Sequence, residues 1–308
     1  MRPPSEDRGL ARTPLDRMDG KRVVITGATS GIGRATATAL GRLGAEMFLV
    51  SRNQIRGTSL ARRLSASGAA TEFIAADLTS PAQVRAAADR IRERWQTIDV
   101  LINNAGARFD TYGSTRDGGE RTFATNHLGH FLFTGLLLDR LTAGPAGRII
   151  TVASSAAAAA QNDGRWQSTA ADFNRKQAYA KSKLANLLFA FELARRLRST
   201  PVRVMAVDPG GVATRFALKN GLIPWLKHVV SHGLKRNLVM PAKGADTAVF
   251  LASAAVLPPN ANGGLFRHRR PIPACAAASD PAAAASLWSL SVALTGIDPA
   301  RDLACLQT

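Results

Sequence analysis

From residue 21 onward, short continuous apolar runs alternate with longer stretches in which apolar residues recur at helical spacing. Four to seven apolar residues bounded by turn formers read as a strand buried on both faces. Strands are predicted at 22–26, 46–50, 71–76, 98–103, 147–153 and 202–207. Helices are predicted at 32–43, 53–67, 81–95, about 116–141 and 177–197. Pro81 fits the first position of its helix, where the missing N–H is no loss. Strict alternation of this kind requires a parallel sheet with right-handed crossovers and helices on both faces. Six strands precede residue 210, and 264–267 supplies a seventh. The expected fold is therefore one doubly wound α/β domain of about seven parallel strands over residues 19–300. A polar arm (1–18), expected to be disordered, and a short tail (301–308) flank it.

Composition narrows the class. Hydrophobic residues are 46% of 308, enough for a sizeable core. The two cysteines, Cys275 and Cys305, form neither a metal pattern nor a disulfide framework, which fits a reducing, cytoplasmic setting. No signal-type apolar region opens the chain, and no run is long enough to span a membrane. The net charge of +18 raises nucleic acid, membrane surfaces and anionic ligands as partners. In the arm, four arginines face three acids, so the excess sits on the folded body. With two tyrosines and no basic–aromatic interleaving, a nucleic-acid footprint is missing.

The first strand runs into Thr26-Gly27-Ala28-Thr29-Ser30-Gly31-Ile32-Gly33 and then into a helix. Gly27 permits a tight turn, Gly31 lets backbone approach a pyrophosphate, and Gly33 lets helix pack on strand. The helix N-terminus adds free N–H groups and partial positive charge. Gly27, Ser30, Gly31, Ile32, Gly33 and Arg34 are the expected contacts of a dinucleotide. The second strand ends Ser51-Arg52-Asn53, without the acid that would hold a free ribose hydroxyl pair. Arg52, with Arg34 and Asn53 nearby, suits a 2′-phosphate, so the cofactor expected is NADP(H).

Tyr179-Ala180-Lys181-Ser182-Lys183 opens a later helix. Tyr179 and Lys183 lie one turn apart on one face. A nearby ammonium favours the phenolate, so Tyr179 is expected to have a lowered pKa and to serve as a general acid or base. Ser154 ends the fifth strand, on the sheet edge where ligands bind, and its hydroxyl can donate to a carbonyl oxygen. Ser155 competes for that role.

The spacing Thr-Gly-x3-Gly-x-Gly, followed by Tyr-x3-Lys, resembles the short-chain dehydrogenase/reductase family. The resemblance runs from about residue 20 to about residue 297. It is strongest to the branch holding retinol dehydrogenases and protochlorophyllide reductases, on Asn126-His127-Leu128-Gly129-His130-Phe131-Leu132, Tyr179 to Asn186, and the late Leu287-Trp288 with Leu294-Thr295-Gly296. It implies a Rossmann fold and a catalytic set of Ser154, Tyr179, Lys183 and Asn126. Asn126 would break its helix locally and hold a water in a proton relay. Asp77 and Leu78 would border the adenine. Asn104, Ala105 and Gly106, in Asn103-Asn104-Ala105-Gly106, would form the turn after the fourth strand. Pro209, Gly210, Val212 and Thr214 would meet the nicotinamide carboxamide. Family members pair through the helices at about 116–141 and 177–197, which implies a homodimer or homotetramer. Ala156–Ala160, Asp208 before Pro209 and the basic run Arg267–Arg270 depart from the branch near the expected substrate contacts. His127 and His130, on a very apolar helix, read as packing or hydrogen-bonding residues.

Residues 215–243 are the expected substrate lid, with apolar residues at helical spacing and six Lys/Arg against no acid. That pattern suits a hydrophobic substrate or peripheral contact with a membrane surface. The function expected is NADP(H)-dependent hydride transfer between nicotinamide and a small-molecule carbonyl or alcohol. The competing reading is a catalytically silent NADP(H)-binding sensor or scaffold.

Overall fold

The structure is a computed structural model and describes residues 15–211 and 240–300. Eight strands form one sheet: β1 (Arg22–Thr26), β2 (Glu46–Ser51), β3 (Thr71–Ala75), β4 (Val100–Asn103), β5 (Arg148–Val152), β6 (Arg203–Val207), β7 (Leu265–Arg267) and β8 (Arg270–Ile272). Their spatial order is β3-β2-β1-β4-β5-β6-β7-β8. All pairs are parallel except β7–β8, which is antiparallel, with Arg267 opposite Arg270. The sequence reading gave seven strands and missed β8, a three-residue edge strand interrupted by Pro271. The β7–β8 turn places His268 and Arg269 at positive φ, where glycine would usually mark a hairpin, so the usual turn signal is missing.

Helices α1 (Gly31–Arg42), α2 (Gln54–Ala66) and α3 (Pro81–Arg94) connect the first four strands. The long predicted helix begins at residue 121 rather than 116 and is broken. A short α4 (Arg121–Phe123) passes through a π-turn at Ala124–Leu128 into α5 (Gly129–Thr142). Glu120 fixes its start by accepting from the N–H groups of Thr122 and Phe123. Next come α6 (Arg175–Arg196), capped by Asn174, then α7 (Pro241–Ser253) and α8 (Pro281–Thr295). Asp280 caps the start of α8, and Gly296 closes it in the left-handed conformation.

The core divides by strand periodicity. Val24, Phe48, Val50, Leu101 and Ile149 face α3, α5, α6 and α8. Val23, Ile25, Met47, Leu49, Val100, Ile102 and Ile150 face α1, α2 and α7. Adjacent residues therefore serve opposite layers, which is why the strands read as unbroken apolar runs. Met18 belongs to the second layer: it is buried, and its N–H donates to the Leu43 carbonyl at 2.7 Å. Residues 15–18 are thus ordered, not part of a disordered arm. The rest of the expected arm (1–14) and the tail (301–308) lie outside the described residues. α8 lies across α5 and α6. Trp288 packs on Phe131 and Phe189, and the Arg196 guanidinium sits 4.2 Å from the Trp288 ring centroid. Among the described residues, no helix is long and apolar enough to cross a membrane.

Candidate functional site

β1 pairs with β2 on one side and β4 on the other, so the connections leaving β1 and β4 diverge and open a crevice at their carboxyl ends. Two backbone segments meet there, the turn into α1 and the turn Asn104–Ala107. A Cβ on Gly27 would come within 2.7 Å of Ala105 Cα. A Cβ on Gly33 would overlap the Gly27 carbonyl and the Asn104 side chain. Gly27 and Gly31 both have positive φ. Asn104 Nδ2 donates to the carbonyls of Thr26 (2.8 Å) and Gly27 (3.3 Å), so this side chain braces the glycine loop. Ser30 caps α1 without a side-chain hydrogen bond, and the first turn holds no acid. The cradle therefore fits a pyrophosphate sitting on the α1 N-terminus.

Arg34 and Arg52 are exposed. Arg52 Nη1 lies 3.8 Å from Asp77 Oδ2. Asp77 Oδ1 accepts from the Thr79 N–H and hydroxyl. Asn53 is exposed, and its Oδ1 caps α2 by accepting from the Arg56 N–H. Leu78 and Ile32 differ in burial: Leu78 is buried, with its carbonyl against Gly129, and Ile32 is half-buried. Pro209 and Gly210 follow β6, and the Gly210 N–H donates to Asp208 Oδ1 at 2.9 Å. Val212, Thr214 and most of the expected lid (215–243) lie outside the described residues.

Ser154 leaves β5, and its hydroxyl acts on the Tyr179 phenol, favouring the phenolate against the effect of burial. Ser154 Oγ also accepts from the Ala156 N–H at 3.2 Å. Ser155, its competitor, is exposed and opens a 3₁₀ turn, Ser155–Ala159. On α6, Lys183 is buried and lies 5.8 Å from the Tyr179 ring centroid. Its Nζ donates to the Val152 carbonyl at 3.0 Å. Asn126 sits within the π-turn, as the local break expected of it requires. Its amide is committed: Oδ1 accepts from the Ala107 N–H (2.7 Å), and Nδ2 donates to the Ala107 carbonyl and to Ser182 Oγ (both 2.9 Å).

The electrostatics differ from the sequence expectation on one point. Burial pushes the Tyr179 phenol above its ordinary value, opposed by the Ser154 hydrogen bond and the Arg108 charge. Burial also lowers the Lys183 ammonium to about 8, while Asp208 acts to hold it up. The expected lowering of the phenol pKa is therefore absent, because desolvating an anion outweighs the nearby positive charge. Two side chains were not recognised from sequence as belonging to this site. Asp208 had stood out only as a departure from the branch, and Arg108 follows the Asn104–Ala107 turn with no motif around it.

Comparison with known proteins agrees with this geometry. The family model described as short chain dehydrogenase matches residues 21–221. The chain belongs to that family of oxidoreductases, which bind a nicotinamide cofactor, and it falls in the retinol dehydrogenase-like branch. It is 36% identical over 296 residues to mouse retinol dehydrogenase 14, covering 91% of this chain and 87% of that one. A crystal structure of a protein from Mycobacterium Paratuberculosis is similar at 33% identity and TM-score 0.73, covering 92% and 96%. A short chain dehydrogenase from Burkholderia cenocepacia J2315 in complex with NADP is similar at 26% identity and TM-score 0.65, covering 82% and 97%.

Proposed function

We propose that the protein is an NADP(H)-dependent reductase of a hydrophobic aldehyde or ketone, able to run in reverse on the alcohol. The observation that carries this reading is the placing of Lys183, buried 5.8 Å from the Tyr179 ring centroid, with the Ser154 hydroxyl acting on the same phenol at the carboxyl end of β5. The NADP-bound Burkholderia relative and the retinol named for the mouse relative support the cofactor and the apolar substrate. Arg34 and Arg52 support the 2′-phosphate, since a guanidinium binds a phosphate monoester through paired hydrogen bonds.

The bound nicotinamide supplies or accepts the hydride. The protein supplies the rest. The Ser154 hydroxyl donates to the substrate carbonyl oxygen and polarises it. Tyr179 gives that oxygen its phenolic proton. A phenol raised by burial is intact at neutral pH, which favours the reduction direction. Lys183, held on the Val152 carbonyl, steadies the phenolate left behind and passes the replacement proton from the Asn126 side. The glycine cradle and the Asn104–Ala107 turn would hold the cofactor, and Pro209 and Gly210 would border its nicotinamide.

A screen of aldehydes, ketones and alcohols, followed by nicotinamide absorbance with both cofactors, tests the proposal. NADPH should be consumed with an apolar carbonyl, and Tyr179→Phe should abolish turnover while sparing NADPH binding. A catalytically silent binding module would bind NADPH and consume none, and a Tyr179→Phe variant at wild-type rate would overturn the assignment of the proton donor.

A further inference from the structure

The family motif around Asn126 contains two buried histidines, and the structure gives them different surroundings. His127 is packed among Phe123, Phe131 and Phe189. Its Nε2 meets Ser291 Oγ at 2.8 Å, and its Nδ1 is buried without a hydrogen-bond partner. That is a packing residue. His130 uses both ring nitrogens. Nδ1 lies 3.0 Å from the Asn126 carbonyl and Nε2 lies 2.9 Å from Thr26 Oγ1.

The proton positions follow from the partners. A carbonyl only accepts, so His130 Nδ1 carries the ring proton, and Nε2, at 2.9 Å, is a nearer acceptor for the Thr26 hydroxyl proton than the Ile102 carbonyl at 3.4 Å. The Thr26 oxygen is then free to accept, and it takes the N–H groups of Asn104 and Ala105, each at 3.0 Å. At the far end of the same turn, Asn126 holds both backbone polar groups of Ala107. The contacts close a ring: Thr26, the Asn104–Ala107 turn, Asn126, His130 and back to Thr26. Gly106 lies within the turn, where a Cβ would sit 3.4 Å from Lys183 Nζ. The Asn126 amide continues through Ser182 Oγ to the Tyr179 carbonyl.

We propose that His130 is a positioning residue that locks the cofactor-facing Asn104–Ala107 turn to Asn126, and through Asn126 to the Tyr179 helix. Its effect on turnover rests on the reductase reading above, whereas its effect on the turn and on dinucleotide binding does not. The ring needs a neutral imidazole. Burial, with the charge of Lys183 adding to it, lowers His130 to about 4, so the arrangement holds across the neutral range. Lys183 and His127 both act against this face, and His127 is itself lowered to about 3 by burial.

The test uses the full-length chain, with His130→Leu, Thr26→Val, Thr26→Ser and the double variant His130→Leu/Thr26→Val. Four quantities are read: amide hydrogen exchange of a peptide covering 104–107, NADPH Kd by fluorescence, kcat and KM on a carbonyl reduced by the wild type, and melting temperature. His130→Leu should speed exchange in that peptide and weaken NADPH. It should also lower kcat by about tenfold or more with little change in substrate KM, the pattern of a misplaced rather than unfolded site. Thr26→Val should do the same and Thr26→Ser should recover most of the loss. The double variant should be no worse than His130→Leu alone, because one ring is broken in both. The proposal is overturned if His130→Leu lowers the melting temperature yet leaves exchange at 104–107 and NADPH Kd at wild-type values. It is also overturned if the single losses multiply. If His130→Leu does not fold, the two Thr26 variants decide, and equal exchange in both overturns the proposal. If the wild type binds NADPH and reduces nothing, the reductase reading fails, and the exchange and binding measurements still decide the role of His130.

Discussion

The carboxylate of Asp208, buried at the end of β6, is paired with the guanidinium of Arg267 on β7. Both residues depart from the branch pattern, and they answer each other. The negative charge of Asp208 acts on both Tyr179 and Lys183, raising each toward its protonated form. Asp208→Asn should therefore lower both pKa values and move the alkaline limb of the kcat/KM profile for reduction to lower pH. Arg267→Ala should move it the other way, by leaving Asp208 uncompensated. A pH–rate profile reads both, and an unmoved limb in Asp208→Asn rules out this control of the site.

Lys183 is a charged group held in the core. Its pKa falls from 10.5 to about 8, so the folded state pays for the ammonium below about pH 8. That penalty fades as pH rises from 8 toward 10.5, where the unfolded chain binds the proton and the folded chain does not. Lys183→Met should abolish turnover and raise stability at pH 7 by on the order of 1–3 kcal/mol. The gain should shrink at pH 9.5. Urea unfolding at the two pH values checks it, and a gain that grows with pH contradicts the sign.

At Gly33 an added Cβ meets backbone on one side and the Asn104 amide on the other. Gly33→Ala should cost about 1–3 kcal/mol in overpacking and weaken both NADPH and NADH. Arg52→Asp should discriminate: NADPH affinity should fall by about tenfold or more through a lost charge-assisted hydrogen bond, with NADH little affected. Isothermal titration with both dinucleotides separates the two variants. Equal losses for both dinucleotides in Arg52→Asp would remove the argument for the 2′-phosphate.

The family resemblance implied pairing through α5 and α6, and α8 packs on both helices, with Trp288 against Phe131 and Phe189. If α8 covers the pairing surface, pairing there would displace it. The chain should therefore run in light scattering at its own mass of 32.6 kDa. A stable dimer that dissociates on substitution of the exposed α6 side chains Arg175, Lys176 and Arg195 would show that the helix does not block the face.

What the sequence determined by itself was local and periodic. Unbroken apolar runs such as Arg22–Thr26 and Arg148–Val152 can only be strands covered on both faces, and their alternation with helices leaves few topologies. Glycines at 27, 31 and 33 announce a backbone that must come close to something, and Tyr179 with Lys183 one turn apart announces a shared face. Tertiary structure alone decided what depends on groups far apart in the chain. Thr26 and His130 are 104 residues apart, and Asp208 and Arg267 are 59. No spacing rule connects such pairs, because they meet through sheet order and helix docking. The same holds for the phenol of Tyr179. Its neighbouring ammonium is legible in the sequence, but its burial is not, and burial sets the direction of the shift.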